Sequence, residues 1–459
     1  MKATIHHFLL SAIALFFIVP ISANAQSNLS DEVKELKQMV KQLQQRIEEL
    51  ETAQKKESAP LPSSKPAAAS PETKKSGASI QATWNKGLEF QTQDGSTRIK
   101  LGGRVQSDWY TGNIEDNDFP DGTRFRRVWL RLNGKIYDDT IFDWQYDFSD
   151  NGQAKLKDLY IGYTGLDWAT IRVGQFREPF GLEQLTNSSH ITLMERAPLD
   201  LLTPSRQTGV MLDDEILGKR MTWALGAFKN SNAFGNGFEN DDVNGDWAVT
   251  GRLTGLPWFE DGGKRLLHLG ASYSHRDWGG DPFRIQARGS FCRGNILVDT
   301  GTDNAAYNVD QFELFGAEAA LVLGPLSLQS EYVLNDLQSS GFGDQTYDGA
   351  YAQISYFLTG EYRPYQAGRF VTPSPKRNFG KDGGWGAWEL AFRYGWLDLD
   401  DTPVTAAKGG ELNDYAFGVN WYMNPNFRMI WNYVHSESSG ANPDDLAADI
   451  FQMRFDLCF

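Results

Sequence analysis

The chain has 459 residues, with 59 Asp and Glu against 44 Lys and Arg and a formal net charge of −15. That acidity argues against a nucleic acid as partner, because phosphate backbones are bound through a basic excess. Two cysteines, Cys292 and Cys458, are too few for a disulfide framework.

Lys2 precedes an apolar run from Phe8 to Ile21, and Ala23-Asn24-Ala25 fits a cleavage site, so residues 1–25 read as a secretory signal peptide. The run is too short to span a membrane as a helix, and no later window holds roughly 18 consecutive apolar residues. Export without a spanning helix leaves a periplasmic, secreted or outer-membrane β-barrel protein. Over 26–51, Leu29, Val33, Leu36, Val40, Leu43, Ile47 and Leu50 alternate spacings of 4 and 3. That is the a/d seam of a coiled coil. Glu32 with Lys37 and Arg46 with Glu51 fall at g-to-next-e spacing with opposite signs, which favours parallel strands. Such a coiled coil joins protomers, and Val or Ile at a with Leu at d leans to a dimer. A lone amphipathic helix is the plainer alternative. Residues 52–79, rich in Pro, Ala, Ser and Lys, form a disordered linker, and 80–459 is the main domain.

From residue 97 the apolar period becomes 2. Phe142, Trp144, Tyr146 and Phe148 alternate with Asp143, Gln145 and Asp147. Val128, Leu130 and Leu132 alternate with Arg127, Trp129 and Arg131; Trp388, Leu390, Phe392, Tyr394 and Trp396 alternate with Glu389, Ala391, Arg393 and Gly395. Alternation places the two sets on opposite faces of a strand. An aromatic-rich face, strands near the ~10 residues a tilted crossing needs, and alternating short and long connections select a membrane barrel over a soluble sandwich. A negative mean hydropathy is compatible, because half the strand residues face water.

The predicted fold is all-β: a 16-stranded antiparallel transmembrane β-barrel with an inward-folded constriction loop, preceded by a short N-terminal coiled-coil helix. The strands are 97–109, 124–137, 140–149, 154–164, 168–174, 207–212, 220–229, 246–256, 265–276, 311–323, 326–336, 347–359, 385–397, 413–423, 426–436 and 447–459. An even number puts both barrel ends on the periplasmic side. The connection Gln175–Gln207 is too long for a turn, and carries Arg177, Arg196 and Arg206 beside Glu178, Glu183 and Glu195. It is expected to fold into the lumen and narrow it, against the alternative of a solvated surface loop. Residues 277–310 form a second long outer loop, and 360–384 a long periplasmic connection able to enter the lumen. Cys292 falls in an outer loop and Cys458 at the opposite rim, too far apart to pair.

Hydrocarbon tolerates charge poorly, at about 2–4 kcal/mol for Arg or Lys at mid-membrane, so the polar phase of each strand faces inward. That phase supplies Arg98, Lys100, Arg104, Arg127, Arg131, Lys135, Arg172, Arg252, Arg276, Arg393 and Arg454. Against them stand Asp108, Asp143, Asp147, Asp158, Glu331, Glu389 and Asp456. A surplus of Arg over partners predicts an anion-preferring pore. The alternative is that these charges pair across strands and brace the wall. The acidic excess then belongs to loops, for example Asp116, Asp118, Asp241, Asp242, Asp400 and Asp401.

The barrel segment, Leu101 to Phe459, resembles the phosphate-selective porins O and P. The resemblance is carried by Leu101-Gly102-Gly103-Arg104, Phe125-Arg126-Arg127, Tyr163-Thr164-Gly165, Phe180-Gly181-Leu182-Glu183, Glu195-Arg196 and His275-Arg276-Asp277. It continues in Leu358-Thr359-Gly360-Glu361, Gly386-Ala387-Trp388-Glu389-Leu390 and Gly418-Val419-Asn420-Trp421-Tyr422. It implies a trimeric sixteen-stranded porin in outer-membrane lipid, with arginines funnelling small anions such as phosphate or polyphosphate inward. Arg104, Arg126 and Arg127 match the family's positions, and Arg284 and Arg288 fall where it places further loop arginines. The implied anion path thus takes in Arg104, Arg126, Arg127, Arg131, Arg172, Arg177, Arg196, Arg252, Arg276, Arg284, Arg288 and Arg393, with Gln184, Asn187 and Ser188. Gln184 stands where the family's loop carries a lysine, and Asn187-Ser188 where it carries two serines. Leu334 to Asp348 has no Lys or Arg, and His435-Ser436 stands where a lysine is expected. These departures imply weaker phosphate binding. The last strand alternates Phe451, Met453, Phe455, Leu457 and Phe459 with polar residues; it resembles the terminal signal read by the barrel assembly machinery.

The chain therefore reads as a bacterial outer-membrane diffusion channel preferring anions, with no cofactor or metal. A neutral-solute (sugar) porin is the alternative, although lumen aromatics such as Trp129 and Tyr160 do not form a continuous track. Residues 29–79 could add a cell-wall or trimerisation tether. A hydrolase is disfavoured, because Ser189 and His190 are adjacent and cannot both aim at one atom.

Overall fold

The computed structural model describes residues 79–459 except 116–120, 151–152, 233–235, 237–245, 302–307, 341–342, 381–382, 401–408 and 441–444. The expected signal peptide, coiled coil and linker up to residue 78 lie outside the described residues, as do Asp116, Asp118, Asp241, Asp242 and Asp401.

The chain opens with a hairpin, β1 (Ile80–Trp84) and β2 (Leu88–Thr92), followed by β3 (Arg98–Ile114), β4 (Gly122–Ile136), β5 (Thr140–Asp150), β6 (Gln153–Tyr163) and β7 (Thr170–Arg177). Next come a four-residue helix α1 (Leu182–Leu185), then β8 (Arg206–Ile216), β9 (Met221–Lys229), β10 (Trp247–Glu260) and β11 (Arg265–Pro282). A small loop hairpin, β12 (Gln286–Ala287) and β13 (Val298–Asp299), leads to β14 (Asn308–Leu323), β15 (Leu326–Gln338) and β16 (Gln345–Phe357). A second small hairpin, β17 (Tyr365–Gln366) and β18 (Arg369–Phe370), precedes β19 (Ala387–Asp398), β20 (Glu411–Asn424), β21 (Phe427–Ser439) and β22 (Ala447–Cys458).

Leaving out the three hairpins, sixteen strands pair antiparallel with their sequence neighbours, and β22 closes the ring on β3 from Ala448↔Ile114 to Cys458↔Arg104. All sixteen predicted strands are present, mostly longer at their outer ends. Closure leaves the wall no free edge, as lipid requires. Leu130, Trp144, Leu225, Leu253, Phe315 and Phe417 are each about half exposed on the outside. In water that surface would cost about 25 cal/mol per Å²; against hydrocarbon it costs nothing.

The sequence reading missed the β1–β2 hairpin. β2 pairs with β3 through Leu88↔Leu101 to Gln91↔Arg98, below the level at which β22 ends. The hairpin extends the wall there and carries Lys86 in its turn, at φ 49. The 360–384 connection does enter the lumen. Phe370 is fully buried, Arg252 donates to the Gly368 carbonyl at 2.8 Å, and Tyr365 Oη meets His268 Nδ1 at 2.6 Å. Further along, Phe379 packs edge-on against Trp421.

Candidate functional site

The connection between β7 and β8, residues 178–205, lies inside the barrel. Its apolar residues explain why: Phe180, Leu182, Leu193, Met194 and Leu199 are all buried within the ring. A loop placed there must satisfy its own backbone, and wall side chains do so. The N–H groups of Leu182 and Glu183 donate to the Glu331 carboxylate at 2.6 and 2.7 Å, which also accepts Tyr351 Oη at 2.5 Å. Asn432 accepts the Met194 N–H at 2.7 Å; Asn420 and Arg428 donate to the carbonyls of Thr192 and Ile191, each at 2.9 Å. Gly181, at φ 70, makes the turn into the lumen, and a Cβ there would sit 2.9 Å from Glu331 Oε2.

Below the loop the arginines are organised by pairing. A β-bulge opposite Gln106 and Ser107 inserts one residue into β4, so Arg126 and Arg127 both turn inward instead of alternating. Arg126 forks onto Glu195 at 3.0 and 3.1 Å, and Arg127 donates to Gln106 at 2.8 Å and lies 3.9 Å from Glu195. Arg454 bridges Glu195 (2.6 Å) and the fully buried Asp108 (2.6 and 2.7 Å). Burial by itself would raise the Glu195 carboxyl; Arg126, Arg454 and Arg127 hold it well below the ordinary carboxylate range. Arg131 pairs with Asp143, Arg172 with Asp213 (3.0 Å), Arg252 with Glu318 (2.6 Å), Arg276 with Glu178 (2.8 Å) and Arg393 with Glu183 (2.9 Å). Arg196 donates to the Glu183 carbonyl at 3.0 Å and lies 3.6 Å from Asp200.

The expected surplus of unpaired arginines is therefore corrected. The sequence reading undercounted acids, because Glu178, Glu183 and Glu195 come from the loop, and Glu318 and Asp213 sit in otherwise apolar or unremarked strand stretches. The bracing alternative accounts for most of the wall. Arg284 and Arg288 are expected on the anion path from the resemblance alone. Arg284 pairs with Asp299 at 2.8 Å and Arg288 donates to the Gly294 carbonyl at 3.0 Å, both within their own loop. Gln184 does not substitute for a lysine. Its amide lies 3.4 Å from Thr203 Oγ1, while its carbonyl accepts Arg177 and Arg196.

Arg104 is different. Among the described residues it has no carboxylate partner. It donates to Ser188 at 2.7 Å, to Ser189 at 2.9 Å and to Asn187, lies over the Trp129 ring at 4.4 Å, and leaves its buried Nε without a partner. It opens onto a recess of about 280 Å³ lined also by Lys86, Lys100, Arg131, Asn187 and His190. No Asp or Glu side chain among the described residues lines it. Burial, with Arg104 and Arg428 nearby, pushes the His190 imidazole down to about 3, leaving it neutral at ordinary pH. The lining belongs to the end where β3 starts and β22 stops, which an even strand count places at the periplasm. A second recess of about 390 Å³ shares Arg131, Asn187 and His190 with the first. Lys86 was not among the residues read from sequence; it lies outside the predicted strands, and only the hairpin brings it to the lumen.

A closed sixteen-strand barrel with an apolar exterior, a charged interior and a loop folded through its lumen is an outer-membrane porin. The sequence model for phosphate-selective porin O and P matches residues 99–459, and the chain belongs to that family. Porin O of Pseudomonas aeruginosa is 29% identical over 423 residues, covering 83% of this chain and 93% of that protein. Among solved structures, an anion-selective porin from Comamonas acidovorans superposes with a TM-score of 0.51 at 10% identity, covering 79% of this chain and all of that one. The trimer form of OmpT from Vibrio cholerae gives 0.50 at 10% identity, covering 79% of this chain and all of that one. At such identity the structural likeness concerns the fold. The chain is thus a channel protein of the bacterial outer membrane.

Proposed function

We propose that this porin is a passive diffusion channel that prefers anions and passes phosphate or polyphosphate with modest affinity. The observation that carries the reading is the recess beside Arg104, where Lys86 and Lys100 add charge, Asn187 and Ser189 add polar partners, and no Asp or Glu lies among the described lining residues, although Glu89 faces Lys100 from the neighbouring strand. Rings of basic side chains in a narrow, partly desolvated pore favour anions. Of the other arginines of the expected path, Arg126, Arg393 and Arg276 are paired with the loop carboxylates Glu195, Glu183 and Glu178, and hold the loop and wall in register around it. With Gln184 in the lysine position, the recess offers two lysines from outside the loop in place of one on it.

The family relationship and the trimeric solved relative support assembly as a homotrimer. Residues 1–25 serve as the export signal, 26–51 as a coiled coil that clusters the barrels or tethers them to the cell wall, and 52–79 as the spacer. The terminal strand and Phe459 serve as the handle for barrel assembly. Catalysis has no support in this geometry: Ser189 Oγ accepts from Arg104 at 2.9 Å and makes no hydrogen bond to His190 among the described residues.

The reading is tested by single-channel recording in planar bilayers under a KCl gradient, followed by phosphate titration. An anion-selective reversal potential with phosphate block is expected. Anion selectivity without block would leave a general anion porin, and cation selectivity would overturn the reading.

A further inference from the structure

The larger recess has a different lining from the one beside Arg104. Six arginines and five acidic residues contribute to it. One of the acids, Asp214, belongs to the outer face of the wall. Asp213 turns inward to Arg172, so its neighbour on β8 turns outward, as does Trp223 opposite it on β9. The other four acids are each answered. Asp143 pairs with Arg131, Asp158 with Arg206 at 2.9 Å, Asp213 with Arg172 at 3.0 Å, and Glu215 with Lys219 at 3.6 Å. Arg252 is taken by the buried Glu318 and by the Gly368 carbonyl. Two arginines are left without a carboxylate among the described residues. Arg177 donates to the carbonyls of Gln184 and Thr186, and its buried Nε has no partner. Arg369, beside the tip of the inserted β17–β18 hairpin, is exposed and makes no hydrogen bond or ion pair among the described residues. The same recess has an apolar surface. Tyr160, Phe176 and Met211 come from the neighbouring strands β6, β7 and β8 and turn inward, with Tyr160 and Phe176 edge to face at 5.7 Å. Leu185 of α1 and Val371 after the hairpin add to it from the inserted segments.

We propose that this recess is a binding site for small organic monoanions, aromatic carboxylates above all, with Arg369 receiving the carboxylate and the ring resting on Tyr160, Phe176 and Met211. The inference deepens the anion-channel reading and rests on it, in that it takes the lumen to be open to anions. The planar fork of an arginine matches a carboxylate through two parallel N–H donors. A cation is disfavoured, because the two arginines without a carboxylate leave the recess net basic. Inorganic phosphate answers that charge but leaves the apolar surface in water. A carboxylate that carries a ring uses both, and covering about 60 Å² of ring corresponds to roughly a tenfold gain at the usual apolar coefficient. Charge and apolar surface adjoin, since Arg172 lies over the Tyr160 ring at 5.6 Å. At about 390 Å³ the recess admits one such solute, at the lower end of the range for ligand pockets.

The test uses the whole porin in planar bilayers at pH 7, with three probes read by ion-current block and noise. These are 3-phenylpropionate (ring and charge), propionate (charge alone) and 3-phenylpropionamide (ring alone). Half-block by 3-phenylpropionate is expected at a concentration about tenfold below that for either of the others, the gain from the ring over propionate and from one charge contact in a wet lumen over the amide. Arg369→Gln is expected to weaken 3-phenylpropionate to the level of the amide. Tyr160→Ser, which keeps Arg369 and removes a ring from the apolar surface, is expected to bring 3-phenylpropionate toward propionate. Both variants are scored only in pores that still conduct, so loss of folding is not mistaken for loss of the site. Equal block by 3-phenylpropionate and propionate would overturn the proposal in favour of a general anion recess. An unchanged 3-phenylpropionate block in Arg369→Gln would overturn the assignment of the carboxylate, and absence of block by all three probes would overturn the site. The KCl reversal potential and the phosphate block recorded in the same membranes report the anion-channel reading separately. The ratio of the two carboxylates decides this proposal whatever the sign of that potential, so failure of one idea is distinguishable from failure of the other.

Discussion

Replacing Arg104 tests both functions assigned to it, charging the smaller recess and fastening the loop. A unit charge acting on an anion about 4 Å away contributes roughly 1 kcal/mol in bulk water and 4 kcal/mol at an effective dielectric of 20. The recess is narrow but wet, and about 2 kcal/mol is a reasonable middle value, close to the 1.5–3 kcal/mol of a hydrogen bond to a charged group. That corresponds to roughly a thirtyfold weaker phosphate block in Arg104→Gln. The substitution also loosens Asn187, Ser188 and Ser189, which Arg104 now holds. Arg104→Lys separates the two effects, because a lysine keeps the charge but not the planar fork. Block by phosphate and the KCl reversal potential are recorded for both variants. Arg104→Lys is expected to keep most of the selectivity with noisier current, and Arg104→Gln to lose both. If Arg104→Gln left block and reversal potential unchanged, the recess would not be on the anion path.

Arg454→Met leaves the fully buried Asp108 without its bidentate partner and should cost about 3–5 kcal/mol, read as a lower urea midpoint in detergent; an unchanged midpoint would mean the Asp108 cluster contributes no stability. Gly181→Ala places a Cβ 2.9 Å from Glu331 Oε2 at a φ of +70, costing about 1–3 kcal/mol of backbone strain and dislodging the loop, visible as added open-channel noise. His190 titrates near 6.5 when free and near 3 in the fold, so the unfolded chain binds the extra proton between those values and stability falls as pH drops through that window. From pH 7.5 to 5 the wild type should therefore lose more stability than His190→Gln, by less than about 2 kcal/mol because the imidazole is only half-buried. Deletion of residues 29–78 should leave single-channel conductance intact, since the wall begins at Ile80; its loss would show that the segment is needed to form the pore.

The sequence alone determined the wall. Period-2 alternation in Phe142–Phe148, Trp388–Trp396 and Phe451–Phe459 is a local property, and a one-residue slip would put charge into lipid, so strand number, face and antiparallel order were all legible. The inward entry of the loop after β7 was legible too, from its length and its paired Arg and Glu residues, whereas the anchoring of Phe180, Leu182 and Leu193 inside the ring came from the fold. What each lumen charge does was decided only by tertiary structure. Arg126 and Arg127 cannot both face inward by alternation, and a single bulge makes them do so. Glu178, Glu183 and Glu195 arrive at Arg276, Arg393 and Arg454 across as many as 259 residues, and no periodicity encodes such meetings. Lys86 and Arg369 look like turn residues in sequence. They become lumen charges because one hairpin extends the wall and another is drawn inside by Phe370 and Arg252. An arginine's chemistry is fixed by its side chain, but whether it conducts or braces depends on the nearest carboxylate, and that distance exists only in the folded barrel.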